Sequence, residues 1–257
     1  MYILRENEDT YWIVCTATRR IKQFKVDSLV KKVIEELKSE EEESEVVRKF
    51  SEGYNSADVL NCIRALESFG IVRETGGQVS QRYSRQVSFI GELTDSWEET
   101  LKLQRRIEES IVSVFGIGGI GTWIVNGLHQ IGVGEIRITD PDVVSESNLN
   151  RQLFFNLGDV GRYKVDIVKS KLPDANIITF RKSVLRDEDL EDLVAGADFL
   201  VNCADSPSVV KTTRIIDGYA TRYGIPYCVA GGYNMHLGMV GPIIIPGQTA
   251  TFEDFIN

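Results

Sequence analysis

The chain has little that would place it in or across a membrane. Its 257 residues contain no apolar run of the roughly 18 residues that a membrane helix needs. The N-terminal sequence Met1–Glu8 has no basic segment followed by an apolar one, which is the pattern of a signal peptide. These absences predict a cytoplasmic protein without a membrane partner.

Cysteine is scarce, and no two cysteines are close in sequence. No CxxC pair occurs among the four cysteines, which are Cys15, Cys62, Cys203 and Cys228. Structural zinc sites commonly use such pairs, so no zinc is expected. In a cytosolic protein this distribution predicts buried free thiols.

Basic residues are fewer than acidic ones. The chain has 29 Lys and Arg against 38 Asp and Glu, which gives a net charge of −9 and a pI near 4.9. A broad cationic surface is therefore not indicated, and a nucleic-acid partner is unlikely on this balance. A local cationic pocket remains compatible with it.

The glycine-rich segment after residue 115 is the strongest functional signal. The run Ile111–Phe115 is apolar and β-branched, as in a buried parallel strand, and a helical pattern opens at about Thr122. A second strand ends at Asp140, which follows the glycines at roughly the 20-residue spacing that is typical of a ribose-binding acid. Because glycine lets backbone N–H groups approach a phosphate, the pattern predicts a nucleotide site on Gly116, Gly118, Gly119, Gly121 and Asp140.

Strands and helices alternate along the rest of the chain. Further strands are predicted at 177–180, 199–203, 227–230 and 238–245, and further helices at 187–194 and 209–223. This alternation predicts an α/β fold with a Rossmann-like, doubly wound and mainly parallel sheet.

The residues after Asp140 favour a nucleoside triphosphate over a dinucleotide. NAD brings only a pyrophosphate, whereas a triphosphate requires cations that neutralise its additional charge. Arg151 and Lys164 supply such cations. Taken singly, each of the two is more often a surface charge.

Several ordered motifs resemble the adenylation domain shared by ubiquitin-activating enzymes and the bacterial ThiF/MoeB proteins. The resemblance covers about residues 80 to 250. The matching segments are Arg82–Gln86, Gly116–Gly121, Asp140–Val144, Ser147–Gln152, Gly161–Lys164 and Cys203–Ser206. It implies an adenylyltransferase that uses ATP and Mg²⁺.

The resemblance also implies a role for each matching residue. Asp140 would bind the ribose hydroxyls, and Asp205 would bind the metal. Arg85 would enter the neighbouring subunit's site, which implies a homodimer. The implied catalytic set is Arg85, Arg151, Lys164 and Asp205, and the implied nucleotide contacts beyond the glycines and Asp140 are Asp142, Asn148 and Gln152.

Residues 1–75 carry a separate, winged-helix-like α+β pattern. A hairpin is predicted from Tyr11–Cys15 and Ile21–Phe24, and its two strands flank a short polar turn. Helices are then predicted after Asp27 or Ser28, over Glu45–Glu52 and from a cap at Ser56, followed by a return strand at Ile71–Arg73. Residues 76–109 are predicted as a linker and helical lead-in, and 110–257 as the ATP-binding domain, in which the C-terminal part of a typical relative is either truncated or absent.

Winged-helix units often bind DNA, but acids outnumber bases in this one. Addition of a peptide strand to the hairpin edge is physically easier. In size and order the segment resembles the precursor-recognition clamp of microcin- and pantocin-type peptide-modifying enzymes. That resemblance implies a precursor peptide as partner.

The leading hypothesis is ATP-dependent adenylation of a carboxylate on a ribosomally synthesised precursor peptide. Two other enzyme hypotheses are activation of a sulfur-carrier protein's C-terminus and activation of a carboxylate on tRNA. A non-enzyme hypothesis is a leader-peptide-binding partner. A nucleophilic role for Cys228 is disfavoured, because its apolar strand-like context is typical of a core residue.

Overall fold

The computed structural model describes residues 2–15, 19–37, 41–72, 79–94, 96–186, 189–231 and 241–256. Its contacts divide the chain into two compact units, Met1–Arg105 and Arg106–Asn257. The predicted functional limits of 1–75, 76–109 and 110–257 remain a prediction.

The N-terminal unit begins with a three-stranded antiparallel sheet in the order β1-β2-β3. Its strands are β1 (Tyr2–Arg5), β2 (Thr10–Cys15) and β3 (Arg20–Lys25). The predicted hairpin corresponds to β2 and β3, which pair in register from Thr10↔Lys25 to Cys15↔Arg20. Strand β1 was not predicted, because four residues are too few to show a clear alternation.

Three helices follow the sheet, α1 (Ser28–Glu36), α2 (Glu43–Phe50) and α3 (Ser56–Ser68). Asp27 caps α1 by accepting a hydrogen bond from Val30 N at 2.8 Å. The cap of α3 is Asn55, which accepts from Ala57 N, so the prediction of Ser56 was wrong by one residue. Residues 71 and 72 form a bend instead of the predicted strand, and residue 73 lies outside the described residues.

The hydrophobic core of this unit joins the sheet to all three helices. Its fully buried members include Ile13, Val33, Val46, Val59 and Ile63. The remaining elements of the unit are a 3-10 turn at Gln81–Tyr83, α4 (Ser84–Gly91) and α5 (Trp97–Glu109), the last of which continues past the unit's limit.

The C-terminal unit is built on a six-stranded sheet in the order β6-β5-β4-β7-β8-β9. The pairs from β6 through β8 are parallel, and β9 is antiparallel to β8. Counted within this unit the order is 3-2-1-4-5-6, which is the Rossmann order. The strands are β4 (Ile111–Phe115), β5 (Glu135–Thr139), β6 (Ile177–Phe180), β7 (Phe199–Asn202), β8 (Tyr227–Val229) and β9 (Ile243–Ile244).

Helices cover both faces of this sheet. They are α6 (Gly119–Ile131), α7 (Lys164–Lys171), α8 (Glu191–Val194), α9 (Val209–Tyr223) and α10 (Phe252–Ile256). One buried cluster packs α6 and α7 against the sheet, and a second packs α8, α9 and α10. The predicted doubly wound, mainly parallel α/β sheet is therefore confirmed.

Some predicted bounds differ from the observed ones. Helix α6 begins at Gly119, earlier than the predicted Thr122, because the glycines form its first turn. The helix predicted at 187–194 is observed as Glu191–Val194, and the strand predicted at 238–245 as Ile243–Ile244. Residues 187–188 and 238–240 lie outside the described residues. Among the described residues, no helix has the length and apolar character to cross a membrane.

Candidate functional site

The glycine turn between β4 and α6 lies against the end of β7. Gly116 has a φ of +88°, which favours glycine, and an added Cβ there would lie 2.7 Å from Ala204 N. An added Cβ on Gly121 would lie 2.0 Å from Gly116 O. The turn and the first turn of α6 are therefore packed too closely for any side chain at these two positions.

The N-terminus of α6 faces open space. Gly118 is the N-cap residue and supplies no side-chain hydrogen bond to the helix. An added Cβ on Gly118 would meet no heavy atom of the described residues within 4 Å. A helix N-terminus with free space beside it is suited to an anion, since its first N–H groups and its dipole both favour negative charge.

Asp140 follows β5 and is 6% exposed. Its carboxylate accepts hydrogen bonds from Ile117 N at 2.7 Å and from Asp142 N at 2.8 Å. Burial raises the pKa of Asp140 above its ordinary value, while the charge of Lys164 and the two backbone hydrogen bonds oppose that rise. The carboxylate thus connects the end of β5 to the glycine turn.

Lys164 is a buried cation beside that carboxylate. It is 5% exposed and is the first residue of α7. Its Nζ lies 2.7 Å from Asp142 Oδ2 and 3.8 Å from Asp140 Oδ1. The two acids differ in exposure: the Asp142 side chain is 63% exposed, whereas that of Asp140 is 7% exposed. Asp142 can therefore exchange its partner for water more easily than Asp140 can.

The segment between Asp142 and Lys164 forms a loop whose two ends are joined by main-chain hydrogen bonds, and we call this junction the closed neck. Lys164 N donates to Asp142 O at 3.1 Å, and Val144 N donates to Arg162 O at 2.8 Å. A β-bridge between residues 143 and 163 lies between these two bonds. The neck fixes both ends of the loop that carries the next three predicted residues.

The loop brings Arg151 to the glycine turn, and it also carries Asn148 and Gln152. Asn148 Oδ1 accepts from Ser145 N at 3.0 Å, which orders the loop itself. Arg151 side-chain carbons lie 3.4 Å from where a Cβ on Gly119 would be, so the arginine packs on the start of α6. Its guanidinium is exposed and donates to Ser147 O at 2.8 Å.

Gln152 carries an unsatisfied acceptor. It is 6% exposed, and its buried Oε1 has no hydrogen-bond partner among the residues that the structure describes. Buried polar atoms nearly always have a partner, so an orphan acceptor in a site indicates a missing donor.

Ile117 N and the Ala204 backbone also shape this site, although sequence reasoning missed both because main-chain groups have no residue-type signal.

Asp205 lies at the same edge of the sheet, in the loop after β7, and is exposed. It directly follows Ala204, on which the glycine turn rests. This edge, between β4 and β7, is where the strand order reverses, and open α/β sheets bind their ligands there.

Comparison with known proteins agrees with this arrangement. Residues 83–257 match the model of the ThiF family. The chain belongs to the ThiF family. The predicted membership of the ThiF/MoeB-like adenylation superfamily is therefore confirmed.

One similar ThiF relative is the sulfur carrier protein ThiS adenylyltransferase of Escherichia coli. It is 35% identical over 128 residues, which cover 49% of this chain and 48% of the relative. The chain spans from about a third to about half of the length of the first curated relatives it matches.

Two solved structures share the fold. PaaA has a TM-score of 0.79 at 22% identity, and the alignment covers 98% of this chain and 79% of PaaA. E. coli MccB, solved with MccA-N7isoASN, has a TM-score of 0.71 at 26% identity and covers 88% of this chain and 64% of MccB.

The ThiF site fits ATP through the chemistry of its donors. Three donor groups lie at this edge of the sheet: the N–H groups at the start of α6, the Arg151 side chain packed beside them, and the buried Lys164 next to Asp140. The loop that carries Arg151 also carries the buried acceptor Gln152 Oε1. For Mg²⁺ the described residues hold no group of three or more His, Cys, Asp or Glu side chains. That is compatible with Mg²⁺, which commonly takes one or two carboxylates together with waters and phosphate oxygens.

Arg85 belongs to the other unit of the chain. It is an exposed residue of α4 in the N-terminal unit. Its implied action on a neighbouring subunit remains a prediction.

Burial disfavours the thiolate form of the two cysteines near the ThiF site, Cys203 and Cys228. Burial raises the pKa of Cys203 to about 12. Burial also raises the pKa of Cys228, in β8, and a backbone hydrogen bond from Gly241 only partly offsets the rise. A thiolate is the reactive form of cysteine, so neither environment favours a nucleophile. Cys62 is buried as well, and the side chain of Cys15 lies outside the described residues.

Proposed function

We propose that the protein is an ATP- and Mg²⁺-dependent adenylyltransferase that activates a carboxylate of a ribosomally synthesised precursor peptide. The observation that carries the adenylation is the buried Lys164, held between Asp140 and Asp142 beside the glycine turn. A buried ammonium next to an uncapped helix N-terminus is a site for the phosphates of a nucleotide.

Each residue of the site has a part in this proposal. Asp140 orients the ribose, and the N–H groups at the start of α6 bind phosphate oxygens. Arg151 and Lys164 stabilise the negative charge that develops on the leaving pyrophosphate. Asn148 and Gln152 provide further polar groups for the nucleotide. Gln152 Oε1 accepts a hydrogen bond from the bound ligand.

ATP supplies the adenylyl group that the substrate carboxylate takes. Asp205 would hold Mg²⁺, and the ion would supply positive charge that stabilises the leaving pyrophosphate. A cytoplasmic location belongs to the same proposal, because ATP is the co-substrate.

The N-terminal unit offers an edge for the peptide. In the sheet order β1-β2-β3 the outer side of β2 is covered by β1, so the predicted hairpin has its free edge on β3. Ile21 on β3 is 60% exposed, and its neighbour Lys22 is exposed as well. An extended peptide would add a strand here through main-chain hydrogen bonds.

The relatives support a peptide, although they also support a second candidate. MccB, the biosynthetic enzyme of microcin C7, has been solved in complex with N-formylated MccA. The E. coli relative at 35% identity instead carries the name of an adenylyltransferase for the sulfur carrier ThiS. The C-terminus of a sulfur-carrier protein is therefore the alternative substrate.

A homodimer completes the proposal. Arg85 from one subunit would reach the nucleotide of the other and stabilise the charge of the triphosphate in trans, as an arginine finger does. The observation behind it is only that Arg85 is exposed in the N-terminal unit, in a segment that matches the family.

Pyrophosphate exchange into ATP tests the activity and the substrate together. Labelled pyrophosphate should enter ATP only when the correct carboxylate is present, so candidate precursor peptides and a sulfur-carrier protein are offered in parallel. Exchange with a peptide that falls when the same peptide is amidated at its reacting carboxyl supports the proposal. Exchange with the carrier alone would assign the second candidate, and failure of both ATP binding and exchange would contradict the adenylation itself.

A further inference from the structure

A buried hydrogen-bond network lies beneath the loop that carries Asp205. Asn202 ends β7 and is 0% exposed. Its Nδ2 donates to the hydroxyls of Thr212 and Thr213 at 3.0 and 2.8 Å, and its Oδ1 accepts from Ala204 N at 3.0 Å. The Thr212 hydroxyl donates to Ala204 O at 2.8 Å. Buried side chains therefore hold both main-chain polar groups of Ala204.

Ala204 links two parts of the nucleotide site. The glycine turn rests on it, since an added Cβ on Gly116 would lie 2.7 Å from Ala204 N. Cys203 N, one residue earlier, donates to Phe115 O at 2.7 Å and joins the ends of β4 and β7. A shift of Ala204 would therefore move the Asp205 backbone relative to the turn that faces the phosphates.

We propose that Asn202 and Thr212 are positioning residues that fix the Asp205 carboxylate, and with it the divalent cation, against the phosphate-binding turn. The inference rests on the proposed function, because it takes Asp205 as the ligand of Mg²⁺. The network holds one arrangement, since a buried polar group left without its partner loses its solvation and gains no hydrogen bond in return. Precision is required at this point, because a misplacement of about 1 Å can cost about 100-fold in rate.

Two adjacent threonines provide a matched pair of variants. Thr212 and Thr213 are both buried on α9, and both accept a hydrogen bond from Asn202. Both hydroxyls lie within donating distance of Val209 O in α9, at 3.0 Å for Thr212 and 2.7 Å for Thr213. Thr212 differs in that its hydroxyl also reaches Ala204 O, at 2.8 Å. Thr212→Val and Thr213→Val therefore remove similar bonds from the core, but only the first releases Ala204.

The decisive measurement is the part of ATP affinity that depends on the metal. Binding of ATP is measured by calorimetry with excess Mg²⁺ and again with EDTA, for the wild type and each variant. The gain is the ratio of the ATP affinity with Mg²⁺ to the ATP affinity with EDTA. In Thr212→Val this ratio should fall by about tenfold or more, because Asp205 is no longer held in place. Thr213→Val should keep that gain, and Thr212→Ser, which retains the hydroxyl, should restore it.

Hydrogen exchange of segment 203–208 gives a readout that needs no nucleotide. Exchange in this segment should be faster in Thr212→Val than in Thr213→Val at matched stability. Should either valine variant not fold, Thr212→Ala and Thr213→Ala make the same comparison.

Each outcome decides between the alternatives. Equal losses in the two valine variants, or a lower Tm in Thr212→Val with its Mg²⁺ gain intact, would reduce the network to a structural role and overturn the inference. A wild type that binds no ATP would instead refute the proposed function, and hydrogen exchange would then decide whether Thr212 holds this segment.

Discussion

Replacing Lys164 by methionine should leave Asp140 as an unpaired buried carboxylate. The side chains of both residues are 7% exposed, and the ammonium lies 3.8 Å from Asp140 Oδ1. Methionine matches the length of the lysine stem and removes only the charge and its hydrogen bonds. Asp142, whose side chain is 63% exposed, can turn to water when it loses its partner.

The magnitude follows from what each acid retains. Removing one partner of a fully buried ion pair costs about 3–5 kcal/mol. Asp140 keeps its two hydrogen bonds, from Ile117 N and Asp142 N, which still stabilise the charged form. We therefore expect Lys164→Met to lower the free energy of unfolding by about 2–3 kcal/mol at neutral pH.

The sign of the pH dependence follows from the pKa of Asp140. Burial already raises it, and the charge of Lys164 opposes the rise, so Lys164→Met should raise it further. Between the ordinary carboxyl pKa and the raised one, the folded protein holds a proton that the unfolded chain has lost. Stability then falls as the pH rises through that window. The deficit of the variant should therefore be largest near neutral pH and become smaller as the pH falls.

Urea unfolding followed by tryptophan fluorescence at about pH 5 and about pH 8 measures this difference. The control is the same substitution in an Asp140→Asn background, where no carboxylate is left unpaired and the loss should be smaller and nearly independent of pH. A deficit of the same size at both pH values, or one unchanged by the asparagine background, would show that Lys164 does not stabilise the charge of Asp140.

Three further predictions concern the proposed chemistry. Gly121→Ala should unfold at a clearly lower temperature, because its Cβ would lie 2.0 Å from a main-chain oxygen. Gly118→Ala should keep its Tm and lose ATP affinity, because its Cβ would meet no atom of the described residues within 4 Å. Equal Tm losses in the two variants would contradict the packing argument. Inactive Arg85→Ala and inactive Asp205→Ala subunits should restore pyrophosphate exchange in verified mixed dimers, and no recovery would exclude action in trans. Cys228→Ser should retain exchange and product formation, because burial disfavours the thiolate form of this cysteine; loss of product at normal exchange would indicate a thioester step.

Local patterns were sufficient for much of the fold. The β-branched run before Gly116 and the acid at Asp140 predicted two neighbouring strands, and both lie where the pattern placed them. Helix α6 begins at Gly119 and not at the predicted Thr122. The prediction is wrong here because glycine normally disfavours a helix, whereas at this site the need for close packing outweighs that propensity.

Features of the site that depend on distant residues could not be predicted in this way. Lys164 pairs with a carboxylate 22 residues away in sequence, and its burial is set by the loop that closes between them. Asn202 and Thr212 carry no signal in the sequence, since an amide and a hydroxyl occur as often at the surface. Their role is visible only once β7 and α9 are packed together.

The closed neck between Asp142 and Lys164 has a consequence for variation of the chain. The loop leaves the sheet and returns to it at one point, which main-chain hydrogen bonds to Asp142 O and Arg162 O hold together. Part of its interior is tied to the domain, because Phe155 is buried in the core cluster that packs α6 and α7 against the sheet, and Leu153 N donates to Thr122 Oγ1 at 3.3 Å. The exposed residues 145–147 and 150–151 have no such burial. These exposed positions are therefore where triphosphate contacts can vary while the Rossmann core stays unchanged.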